Sequence, residues 1–73
     1  MNKQPELTDK TRRGIIDAYW TLLMNREKLS VISVSKASGV NRSTFYQYFL
    51  DMEDLRDKAE MQILEDVNKK YLK

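Results

Sequence analysis

The sequence predicts an all-α fold, a three-helix bundle followed by a long fourth helix, and three observations carry that expectation. Apolar residues recur at spacings of three and four in two stretches, Ile15 to Leu23 and Met52 to Val67, the period of a helix with one buried face. Between them stand Gly39 and Asn41, a residue type that ends helices and one that starts them. Phe45 and Phe49 then lie one helical turn apart, so both fall on one side of a short helix.

Length and composition set the outer limits. With 73 residues, the chain is one domain at most, near the size where a single core is only just adequate. It has no cysteine and no histidine, which excludes disulfides, thiolate zinc sites and histidine acid–base chemistry. No apolar run approaches the roughly 18 residues of a membrane span, and no signal peptide is visible. The expectation is a soluble, cytoplasmic protein. The net charge of +2 is uneven: residues 1–48 hold eight Lys/Arg against four Asp/Glu, and residues 49–73 hold five against seven.

Residues 1–7 show no periodicity, and Pro5 argues against helix there, so they are expected to form a flexible arm. The first helix is expected over 8–26, capped by Thr8 or Asp9, with Ile15, Ile16, Tyr19, Trp20, Leu22 and Leu23 as its apolar face. Lys10, Arg12 and Arg13 fall in its opening turns, where the helix dipole favours anions. They are either three solvated cations or part of a phosphate contact. Gly14 inside this helix has no evident purpose and costs about 1 kcal/mol relative to alanine.

Asn25 to Leu29 is a polar connector, and Ser30 caps a second helix over 31–38. Val31 and Val34, with Ala37 or Ser38, are expected to face inward, leaving Ile32, Ser33 and Lys36 outside. Gly39 ends that helix in the left-handed conformation. Asn41 offers a side-chain oxygen to the free N–H groups of a third helix, 42–48. Two short helices joined by a tight glycine-containing turn are the outline of a helix-turn-helix, whose second helix enters a DNA major groove.

At about 100° per residue, Gln47 lies opposite the midpoint of Phe45 and Phe49, Ser43 and Thr44 lie beside it, and Tyr46 and Tyr48 occupy the flanks. The outward ridge is Ser43, Thr44 and Gln47, side chains able to hydrogen-bond base edges, with the tyrosines placed for phosphates. Arg42 adds a donor fork suited to guanine or phosphate. The same pattern also describes an ordinary amphipathic helix with a solvated face.

Residues 51–73 open on Asp51 and Asp54, a cap followed by an acid three positions on. A fourth helix from Met52 to Tyr71 is expected to bury a seam of Met52, Leu55, Ala59, Ile63 and Val67. Met61, Leu64 and Tyr71 fall off that seam and suggest a further contact.

Taken together, the chain resembles the N-terminal DNA-binding domain of TetR/AcrR-family transcriptional regulators over roughly residues 10–66. The motifs are Arg12-Arg13 with Ile15-Ile16, Ser30-Val31, Ser38-Gly39-Val40, Thr44-Phe45-Tyr46-Gln47-Tyr48-Phe49 and Glu53-Asp54-Leu55. The resemblance implies a homeodomain-like helix-turn-helix domain over 8–50 that binds double-stranded DNA. It implies phosphate contacts from Thr44, Tyr46 and Tyr48, base contacts from Arg42, Ser43 and Gln47, and Ser30 and Ser33 close to the backbone, with Lys36 and Asn41 completing the expected surface. It further implies a palindromic operator, a ligand-responsive repressor, and a homodimer formed through a C-terminal domain that also holds a small-molecule effector; the chain has none of that domain. Two departures stand out. Met52 occupies a position where the family usually has a phosphate-pairing lysine, and Ile32 one where some relatives place a polar base reader.

No metal, cofactor or enzymatic activity is expected, because carboxylates lie only on helix surfaces and no glycine-rich phosphate loop is present. The alternative function is a homeodomain-like protein–protein interaction module without DNA binding.

Overall fold

The structure is a computed structural model that describes residues 5–71. Among these residues it is all-helical, with four helices in the order α1 (Pro5–Met24), α2 (Val31–Ser38), α3 (Arg42–Tyr48) and α4 (Met52–Tyr71). The spans of α2, α3 and α4 agree with the sequence reading. None of the helices is long and apolar enough to cross a membrane.

The first helix departs from expectation at both ends. It begins at Pro5, so 5–7 are helix and not arm; residues 1–4 of the expected arm lie outside the described residues. Proline is well suited to a first helical position, because its missing N–H would have no partner there and its φ is already helical. The earlier start also moves Lys10, Arg12 and Arg13 out of the first turn, where the dipole would oppose them. At the other end α1 stops at Met24, two residues before the expected limit. Arg26 takes the left-handed conformation with φ 58°. Its N–H donates to the Leu23 carbonyl at 3.1 Å and that of Glu27 to the Leu22 carbonyl at 2.9 Å, a Schellman closure.

Every helix contributes to one core: Ile15, Ile16, Ala18, Tyr19 and Leu22 from α1, Val34 from α2, Phe45 from α3, and Leu55 and Ala59 from α4, with Phe49 from the corner between the last two. Phe45 and Phe49 are the largest fully buried side chains, each worth about 1.5–3 kcal/mol in apolar burial. Their ring centroids stand 5.7 Å apart. Tyr19 meets Trp20 edge-on at 5.1 Å. Burial pushes the Tyr19 phenol above its ordinary pKa, with opposing smaller influences from Arg56 and Glu60.

Two packing expectations are corrected. On α2 the buried partner of Val34 is Ser35, whereas Ala37 is exposed and Ser38 half-buried. A small hydroxyl side chain allows close helix approach, and the hydroxyl of Ser38 donates instead to the Val34 carbonyl at 2.9 Å. On α4 only Leu55 and Ala59 are buried. Ile63 and Val67 remain exposed, because the seam outruns the bundle it was expected to pack on. Apart from its chain neighbours and its own helix backbone, Gly14 has no atom within 4 Å of where a Cβ would stand, so no close approach by another element explains it.

Candidate nucleic-acid interface

The position of α3 is set from below and from both ends. Phe45 and Phe49 hold it down, and Phe49, already outside the helix with φ −138° and ψ 143°, turns the chain toward α4. At the start, Asn41 Oδ1 accepts from the Thr44 N–H at 2.8 Å. Gly39, at φ 78°, closes α2 through bonds from its own N–H to Lys36 and from the Val40 N–H to Ser35. Only glycine adopts that φ without strain.

A second corner fixes the far end. Asp51 Oδ1 accepts from the Asp54 N–H at 2.8 Å, and Asp54 Oδ2 accepts from the Leu50 N–H at 2.8 Å and from Lys58 Nζ at 3.0 Å. The Leu50 bond, followed by the Lys58 bond, holds the Asp54 carboxyl below the usual carboxylate range. Asp51 thus caps α4, and Asp54 reaches back to restrain the exit from α3.

With α3 seated this way, Arg42, Ser43, Tyr46 and Gln47 are exposed, and Thr44 is half-buried at the edge of the ridge. Tyr46 packs its ring edge-on against Phe45 at 5.3 Å yet remains 53% exposed. Tyr48 is different, since it is half-buried against the core. The two flanking tyrosines are therefore not equivalent, a distinction that helical angles alone do not make.

On α2, Lys36 and Ile32 are exposed. Ser30 and Ser33 form a reciprocal capping box: the Ser33 N–H donates to Ser30 Oγ at 3.1 Å and the Ser30 N–H to Ser33 Oγ at 2.9 Å. The Ser33 hydroxyl also donates to the Lys28 carbonyl at 2.8 Å. Asn41 likewise has its carbonyl oxygen engaged. These three residues position α2 and α3, with both serine hydroxyls and the Asn41 side-chain oxygen engaged in capping bonds.

The charge around this surface is one-signed. From Lys28 to Leu50 the chain holds Lys28, Lys36 and Arg42 and no Asp or Glu. The ion pairs among the described residues are Arg13 with Asp9 and Lys58 with Asp54, so none of the three cations has an acidic partner among them. Arg12, by contrast, is a brace: its Nη1 donates to Gln62 Oε1 at 3.2 Å, and its guanidinium lies 5.9 Å from the Phe49 ring centroid. Of the expected basic cluster at the start of the chain, Arg12 and Arg13 are thus both engaged.

Away from this surface, a groove of about 430 Å³ runs between the end of α1 and the start of α4. Tyr19, Leu23, Leu29 and Met52 form its apolar wall, and Glu53, Arg56 and Glu60 its rim. Met52 is half-buried there against the core.

No family model, curated protein or solved structure gives a significant match to the chain.

Proposed function

We propose that this chain is a sequence-specific double-stranded DNA-binding module in which α1 to α3 form a homeodomain-like helix-turn-helix and α3 reads the major groove. The observation that carries this reading is the division of α3, with Phe45 buried beneath an exposed Arg42, Ser43 and Gln47, inside a stretch that contains cations and no acids. Arg42 and Gln47 are suited to purine edges, and Ser43 to either member of a pair. Lys28, Lys36, Arg42 and the Tyr46 hydroxyl are available to phosphates.

The resemblance to TetR/AcrR regulators supports a wider role as the reading head of a ligand-responsive cytoplasmic repressor. In such a regulator an effector domain would change the spacing of two recognition helices on a palindromic operator. No enzymatic role is proposed.

Selection of preferred duplexes from a random pool tests the reading directly. Enrichment of a defined motif is expected, together with a fall in affinity with salt. Three unneutralised cations give an expected slope of about −3 in log K against log salt. Failure to enrich any motif, or an affinity indifferent to salt, would exclude it and favour a protein-binding module.

A further inference from the structure

The last three turns of α4 carry an apolar stripe that nothing in the bundle covers. Ile63 and Val67 are 45% and 42% exposed, and Leu64 and Tyr71 are 63% and 69% exposed. At about 100° per residue, Glu60, Ile63, Val67, Lys70 and Tyr71 share one side of the helix. Arg56 and Glu60 line the groove, so the groove and the stripe form one surface along α4. The stripe continues the seam of Met52, Leu55 and Ala59 past the end of the bundle, and Gln62, bonded from Arg12, lies to one side of it.

We propose that this surface binds a second copy of the chain, with the two α4 helices antiparallel about a two-fold axis at the level of Glu65. The arrangement of charge selects both partner and direction. Ile63 and Val67 lie at equal distances on either side of residue 65, and so do Glu60 and Lys70. An antiparallel pair therefore sets Val67 opposite the partner's Ile63 and Lys70 opposite the partner's Glu60. A parallel pair would set lysine against lysine and glutamate against glutamate, which is repulsive. Among the described residues neither Glu60 nor Lys70 forms an ion pair within its own chain.

The same register brings Tyr71 of each copy to the level of Ala59, beside Arg56 and Glu60 at the mouth of the groove. Its ring would lie over the apolar wall formed by Leu23 and Leu29, with its polar tip among the charged rim. Such a contact is isologous and closes on itself, so it yields a dimer and not a filament. It uses no residue of α3 and stands apart from DNA binding.

Sedimentation equilibrium of the 73-residue chain without DNA tests the pairing. A reversible monomer–dimer equilibrium between micromolar and millimolar concentration is expected, and Val67→Asp should abolish it while circular dichroism shows unchanged helix content. Glu60→Lys or Lys70→Glu should each weaken the dimer about fivefold at low salt, since each reversal disrupts two symmetry-related pairs. The double reversal should restore it. If Val67→Asp loses helix content, the charge reversals, both at exposed positions, decide. A chain that stays monomeric throughout, a dimer indifferent to Val67→Asp in a folded variant, or a double reversal weaker than either single one would overturn the proposal.

Discussion

The inner and outer sides of α3 occupy the same seven residues and answer to different demands. Inside, Phe45 and the adjoining Phe49 are sealed from solvent and in ring contact. Outside, Arg42, Ser43 and Gln47 are exposed. The difference separates residues that decide whether the helix exists from residues that decide what it meets. Stability and specificity should accordingly be separable by mutation.

The largest effect is expected inside. Phe45→Ala should cost about 3–5 kcal/mol, the range for deleting a buried aromatic, a large part of the stability of so small a domain. Urea unfolding measures it, and a loss under 1 kcal/mol would mean that the aromatic pair does not anchor α3.

Gln47→Ala sharpens the contrast from the other side. Folding stability should move by less than about 0.5 kcal/mol, as at other exposed positions. Preference at one or two base pairs should relax by roughly 1–3 kcal/mol each. An unchanged motif in a repeated duplex selection would remove Gln47 from the reading face.

A smaller effect distinguishes the flanks. Tyr46→Phe removes a hydroxyl from the exposed tyrosine and should weaken binding to all duplexes alike by about 0.5–1.5 kcal/mol, one hydrogen bond. Tyr48→Phe, at the half-buried position, should change binding less. A sequence-selective loss at Tyr46 would count against a phosphate contact.

The smallest effect concerns the corner that holds α3 against α4. Because the folded state depresses the Asp54 pKa, its contribution to stability is present above the unfolded carboxylate value and is lost as pH falls through the depressed one. Asp54→Asn should therefore be destabilising at neutral pH. That difference should begin to shrink below about pH 4, where the unfolded carboxylate takes up its proton, and should disappear only below the depressed folded value, where both states are protonated. Thermal unfolding across that window measures it, and a difference that persists at low pH would assign the effect to shape and not to charge.

The legibility of this fold follows its chemistry residue by residue. Gly39 and Arg26 end α2 and α1 with the same pattern of backbone bonds and the same left-handed turn. Only the glycine signals that turn, since a side chain there costs roughly 1–2 kcal/mol and arginine gives no hint that the cost is met. Pro5 misled for the opposite reason: its usual role as a breaker concealed its fitness for a first turn. Ser35 could not be picked out as core, because a serine becomes interior only where a neighbouring helix comes close. The candidate surface was legible in outline, as the outward residues of α3 follow from angles around two aromatics. That the hydroxyls of Ser30 and Ser33 bond each other's backbone, and that Tyr48 leans inward, were not.

By itself, then, the sequence determined the number and type of the helices, the turn between α2 and α3, and the outward ridge at Ser43 and Gln47, because local spacing and cap chemistry act within a few residues of the chain. Tertiary structure alone decided how far burial extends along α4, the tie from Arg12 to Gln62 and Phe49, and the groove beside Tyr19. Those features depend on where separate helices meet and where one ends before its neighbour does, and no periodicity within a single helix records that.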